Sequence, residues 1–157
     1  MQHSYIVALG SNMRVPQIGA PHKVLQAALI GMEFAGADIV SVSSVISTRP
    51  LGPSQRCYTN GAALVETAEG PVAFLKTLQS IEADFGRERR GAAWRARPLD
   101  LDIVLWSGGV WQSSVLTIPH PLFRERDFVV GPAAAIAPDW RDPVTGLTLR
   151  QLAARVP

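Results

Sequence analysis

The chain has 157 residues, 47% of them hydrophobic and 18% charged, which fits one compact domain with a sizeable core and excludes disorder as the main state. Fifteen basic residues against thirteen acidic ones leave a net charge of only +2, so the distribution of charge is more informative than its sum. No apolar run approaches the roughly 18 residues of a membrane span, and a single cysteine, Cys57, excludes an internal disulfide or a Cys-rich metal site; a soluble cytoplasmic protein is expected.

Residues 5–9 form a compact apolar run stopped by Gly10-Ser11-Asn12, which predicts a short buried strand and then a turn. Residues 22–34 carry Val24, Leu25, Ala28, Leu29 and Met32 at helical spacing, with Pro21 suited to the first turn and Gly36 to the end. Residues 38–47 are rich in β-branched side chains and alternate as a strand does. Residues 48–58 hold Pro50, Gly52 and Pro53 and read as a loop of functional length between two strands. Residues 60–67 are the returning strand, and 71–85 a second amphipathic helix with Val72, Leu75, Leu78 and Ile81 on one stripe, closed by Gly86. After an arginine-rich stretch come a strand over 99–106, a tight turn at Gly108-Gly109 and a strand over 110–114. Ile118-Pro119-His120-Pro121 opens another loop, and the tail carries helices over 128–136 and 148–156.

The first six elements run β-α-β-β-α-β, the order of an α+β, ferredoxin-like sandwich in which two helices cover one face of an antiparallel sheet and leave the other free. The tail reads as a C-terminal helical extension of the same domain, so residues 1–157 are expected to form one unit.

Two features carry chemistry. In Arg97-Pro98-Leu99-Asp100-Leu101-Asp102-Ile103-Val104-Leu105, strand alternation puts Asp100 and Asp102 on one face and Leu101, Ile103 and Leu105 on the other. The two aspartates would then lie about 6.6 Å apart, close enough to share hard cations such as Mg²⁺; an ordinary acidic strand face is the plain alternative. Only Lys23 and Lys76 are lysines, and five of the thirteen arginines fall at Arg87, Arg89, Arg90, Arg95 and Arg97. Their planar donors suit phosphate oxygens, although a solvated loop or a nucleic-acid patch would also explain them. A nucleoside triphosphate with Mg²⁺ between the two groups reconciles both charges, and the absence of a G-x-x-x-x-G-K-[ST] pattern excludes a P-loop enzyme.

The 97–105 run resembles the signature of the 6-hydroxymethyl-7,8-dihydropterin pyrophosphokinase family, and further blocks match in order between about residues 5 and 138. They include Tyr5-Ile6-Val7-Ala8-Leu9-Gly10-Ser11-Asn12, Thr48-Arg49-Pro50-Leu51-Gly52-Pro53, Tyr58-Thr59-Asn60-Gly61-Ala62, Gly86-Arg87-Glu88-Arg89, Pro119-His120 and Arg126-Asp127-Phe128. The resemblance implies transfer of pyrophosphate from ATP to the hydroxymethyl group of the dihydropterin, leaving AMP, on a ferredoxin-like fold. It implies Arg87, Arg97, Asp100 and Asp102 as catalytic residues, with two Mg²⁺ ions on Asp100 and Asp102. It places Gln79, Glu82, Arg89, Trp94, Ile103, Thr117, His120 and Arg126 around ATP, and Thr48, Arg49, Leu51, Tyr58, Asn60 and Phe128 around the pterin. The expected partners are these two small molecules, with no nucleic acid or membrane, and a monomer is expected.

The chain departs from the family at Arg95-Ala96, where Gly-Pro is usual, and at Val115, where an arginine near the nucleotide is often found. A ferredoxin-like RNA module is a rival reading, but the RNP1 pattern is absent and the acidic pair would repel a phosphate backbone without metal. A relative that binds both substrates without turnover is another, separated by whether AMP forms.

Overall fold

A computed structural model describes residues 2–48, 58–86 and 98–157, with the side chain of Thr48 left aside. Arg49, Leu51, Cys57, Arg87, Arg89, Arg90, Trp94, Arg95, Ala96 and Arg97 therefore lie outside the described residues.

Strands β1 (His3–Ser11), β2 (Asp38–Val42), β3 (Ile46–Thr48), β4 (Tyr58–Thr67) and β5 (Asp100–Trp106) form one antiparallel sheet in the order β2-β4-β1-β5, with β3 also paired to β4. Helices α1 (Pro21–Phe34) and α2 (Pro71–Asp84) follow β1 and β4, which gives the ferredoxin-like arrangement. Both helices start on proline, where the missing N–H costs nothing, and both end at a glycine, Gly36 or Gly86, with φ of 97° or 87°. Their apolar stripes meet Tyr5, Val7, Leu9, Leu101 and Ile103 in a first core that includes Val24, Met32, Phe74 and Leu78. Burial of Phe74 or Leu78 contributes about 1.5–3 kcal/mol each.

The expected strand over 38–47 is broken at Ser43. There the Ser43 N–H donates to the Ala62 carbonyl at 2.9 Å, while Ser43 Oγ accepts from the Ala62 N–H and donates to the Ser44 carbonyl, each at 2.9 Å. A hydroxyl thus takes the place of a ladder carbonyl, and the chain re-enters the sheet as β3. Gly10 and Ser11, expected in a turn, are the last residues of β1.

Leu105 does not share a face with Leu101 and Ile103 as alternation predicts. Ile6 pairs with Leu105 but Val7 with Ile103, so Val104 is an extra residue in β5, and this bulge reverses the phase. Val104 and Leu105 both enter a second core on the opposite face of the sheet, with Ile6, Ala62, Phe123, Val129, Ala133, Leu149 and Leu152. That face, expected to be free, is covered at one end by α3 (Asp127–Ile136) and α4 (Leu149–Arg155). The expected strand over 110–114 shrinks to β6 (Trp111–Gln112), paired with a short β7 (Thr117–Ile118), and a 3₁₀ turn (Phe123–Glu125) leads into α3. Thr148 and Gln151 form a reciprocal capping box at the start of α4, with bonds of 3.1 and 2.9 Å.

Candidate active site

The acid pair lies on the second sheet face, at the end that α3 and α4 leave uncovered among the described residues. Asp100 is paired with Gly10 and Asp102 with Ala8, and on the other side of β1 the same two residues pair with Asn60 and Ala62. Directly opposed residues of an antiparallel ladder point to the same face, so Asp100, Asp102 and Asn60 share one surface floored by glycine and alanine. Two strand spacings separate Asp100 from Asn60, about 9–10 Å between Cα atoms, which leaves room for a ligand. Gly10 allows close approach here: a Cβ on it would stand 3.2 Å from Asn60 Oδ1, so the amide would have to shift by a few tenths of an ångström to admit a larger residue. Asn60 is buried, Tyr58 half-buried, and both begin β4. Phe128 lies half-buried in the first turn of α3 and packs against the second core, with the Arg126 guanidinium 5.9 Å from its ring centre.

A cleft of about 380 Å³ runs along the free edge of β5, of a size suited to a small molecule. Asp102, Ile103, Thr117 and His120, all expected at the site, line it together with Leu75 of α2 and residues 113–116. The His120 N–H donates to the Val104 carbonyl at 3.0 Å, which ties this loop to the bulge of β5. His120 Nδ1 accepts the Leu122 N–H at 3.2 Å, so the neutral ring carries its proton on Nε2, the nitrogen left to donate to an anion. Burial holds the His120 pKa below its usual 6.5, the Arg126 charge pushes the same way, and the Asp102 carboxylate opposes them.

Glu82 and Gln79 take different positions on α2. Gln79 is exposed, whereas Glu82 is buried and its Oε2 accepts the Leu101 N–H at 2.8 Å. Neither lines the cleft, and neither does Arg126. Leu75, Ser113, Ser114, Leu116 and Pro121, which do line it, carried no sign of a site in the sequence, where Leu75 reads as helix core and Pro121 as loop, because short polar and apolar residues gain such meaning only when distant segments converge. Gly10 reads from the sequence as a turn residue, and its close approach to Asn60 emerges only because β1 runs on to Ser11.

The donor set fits Mg²⁺. Two carboxylates on one strand face, opposed by small residues, supply the hard oxygens that this ion takes alongside phosphate and water. Among the described residues there is no cluster of three or more His, Cys, Asp or Glu side chains suited to a metal ion.

Comparison with known proteins identifies the family. A family profile described as 7,8-dihydro-6-hydroxymethylpterin-pyrophosphokinase matches residues 6–138. A 2-amino-4-hydroxy-6-hydroxymethyldihydropteridine pyrophosphokinase of Synechocystis sp. is 39% identical over 155 residues, covering 98% of this chain and 76% of the relative. That of Pseudomonas aeruginosa is 39% identical over 153 residues, covering 96% of this chain and 90% of the relative. The crystal structure of a Plasmodium falciparum HPPK-DHPS triple mutant superposes with a TM-score of 0.76 at 14% identity, a likeness of fold. It covers 99% of this chain, which spans 44% of the plasmodial one. Since the profile takes in both the β1 end and the acid-bearing strand, and relatives match along nearly the full length, this chain belongs to the 7,8-dihydro-6-hydroxymethylpterin-pyrophosphokinase family.

Proposed function

We propose that this protein transfers pyrophosphate from ATP to 6-hydroxymethyl-7,8-dihydropterin, in folate biosynthesis, giving AMP and the pterin diphosphate. Family membership supports the reaction, and the observation that carries it to these residues is the shared surface of Asp100, Asp102 and Asn60 beside the β5 cleft. The hydroxymethyl oxygen forms a bond to the β-phosphorus of ATP. The bond from that phosphorus to the oxygen it shares with the α-phosphate breaks, AMP leaves with that oxygen, and the hydroxyl proton is released.

Asp100 and Asp102 would hold two Mg²⁺ ions, and bound there the metal would neutralise the triphosphate and keep it in line with the hydroxyl. His120 Nε2 and Arg126 supply donors for phosphate oxygens, while Ile103 and Thr117 line the nucleotide cleft. Gln79 flanks the nucleotide from the exposed face of α2 and Arg89 and Trp94 join it by resemblance, while the buried Glu82 supports the site through its bond from the Leu101 N–H rather than by touching ATP. Arg87 and Arg97 are assigned the charge that develops on the transferred group, where fixed cations act most strongly. Phe128 and Tyr58 give the flat pterin ring aromatic surfaces and Asn60 gives it a hydrogen-bonding amide, with Thr48, Arg49 and Leu51 completing the pocket. A single domain acting as a cytoplasmic monomer on small molecules, rather than on nucleic acid or membrane, completes the reading. No helix among the described residues is long and apolar enough to cross a membrane.

Incubation with Mg²⁺, ATP and the hydroxymethyl-dihydropterin should yield AMP and the pterin diphosphate in equal amounts. Formation of ADP, or no consumption of the pterin, would overturn the assignment.

A further inference from the structure

We propose that Glu82 is a positioning residue for the acid pair: its buried carboxyl group holds the backbone of β5 between Asp100 and Asp102 and so sets how the two carboxylates meet a divalent cation. This rests on the pyrophosphokinase reading but concerns a separate property of the same strand.

Among the described residues β5 is an edge of the sheet, with β1 as its one partner strand. In an antiparallel ladder alternate residues turn their N–H away from the neighbouring strand, and on an edge such groups have no strand to meet. Leu101, the residue between the two aspartates, gives its N–H to Glu82 Oε2 at 2.8 Å. Its flanking residues are held by β1 through the pairs Gly10 with Asp100 and Ala8 with Asp102. The backbone that bears the acid pair is thereby fixed from both sides, by β1 and by α2.

This fixing matters because packing does little for Asp102, whose side chain is exposed. Its direction is set by the strand beneath it. Glu82 itself is 5% exposed and sits in the last turn of α2, the end of a helix where an acidic side chain is disfavoured by the helix dipole. The residue is thus poorly placed to stabilise its own helix and well placed to reach the strand. Leu101 and Ile81 already join strand and helix in the first core, but apolar packing does not set the rotation of an edge backbone, whereas a directed hydrogen bond does.

The test compares Glu82→Met, which keeps the volume and removes the acceptor, with Glu82→Gln, which keeps an acceptor oxygen. In the full chain, the Leu101 amide resonance and its hydrogen exchange report the bond without turnover. Mn²⁺ added with a non-hydrolysable ATP analogue reports metal binding through broadening of the amides of residues 100–102. Glu82→Met is expected to lose protection at Leu101, to need at least tenfold more Mn²⁺ for half-broadening, and to raise the half-saturating Mg²⁺ for AMP formation equally. Glu82→Gln is expected to stay within about threefold of the parent in all three. Parental metal dependence in a folded Glu82→Met, or a loss in both variants confined to the KM for ATP, overturns the proposal. Should Glu82→Met not fold, Glu82→Gln decides alone: weakened Mn²⁺ binding with the Leu101 bond retained overturns it, and parental binding with that bond supports it. Failure of the parent protein to form AMP would instead strike the reaction assignment, and the amide and Mn²⁺ readouts would still stand.

Discussion

Asp102 is exposed on a strand whose neighbours on the same face are small, so its carboxylate is maintained at little benefit to packing. Asp102→Asn should therefore leave the circular dichroism spectrum and melting temperature unchanged while cutting AMP formation by about 10² or more, the scale on which one electrostatic partner of a transition state matters. A variant with parental turnover would remove the metal role of the pair. His120 illustrates a different residue-scale device. With Nδ1 occupied by the Leu122 N–H and burial disfavouring the cation, the ring stays neutral and presents a single donor, Nε2. The residue types at both positions were legible from the sequence, since period-two alternation alone puts two aspartates on one face. The tautomer of His120 was not, because it depends on the fold of a backbone two residues away.

Among the elements, the segment after β7 is joined to the C-terminal loop by Arg124 and Asp142. Asp142 is fully buried and accepts from Arg124 Nη2 at 2.8 Å, from Thr145 Oγ1 at 2.7 Å and from the Val144 N–H at 3.0 Å. Burial alone would raise its pKa, but the bonds from Arg124, Thr145 and Val144 outweigh it and hold the carboxyl at about 2. Because the folded value lies below the ordinary 3.8, this stabilisation is complete above about pH 4 and is lost as pH falls through about 2. Arg124→Ala is expected to cost about 3 kcal/mol at pH 7, the low end for breaking a buried pair, since the Arg124 side chain keeps 25% exposure. Urea unfolding at a series of pH values checks this: the gap between parent and variant should narrow between pH 4 and 2. A constant gap would mean that the arginine acts through packing alone. The helices of the first layer were legible because proline and glycine mark their ends. The break at Ser43 was not, since a serine hydroxyl can replace a ladder carbonyl only where β4 presents the Ala62 N–H to it.

For the whole molecule, the family profile stops at residue 138, yet Asp142, Leu149 and Leu152 beyond it are buried. The second core is therefore built partly from the tail. Removing residues 139–157 deletes two leucines worth about 1.5–3 kcal/mol each together with the partner of Arg124. That sum approaches the 5–15 kcal/mol by which a domain is ordinarily stable. The shortened chain should lack a cooperative thermal transition by calorimetry; a parental melting temperature would show that the tail is an appendage. The sequence by itself determined the order of elements, the two-helix first layer, the acid pair and, through separated motifs in register, the family. These depend on local periodicity, on the end signals of helices and on residue identity, all of which a linear chain displays. The tertiary structure decided that Leu105 turns to the second core, that α3 and α4 cover one end of the supposedly free face, and that Glu82 reaches the strand between the aspartates. Each of these depends on what a partner strand or helix presents across the sheet. A one-residue bulge or a single side-chain bond between segments far apart in the chain leaves no periodic trace in either segment.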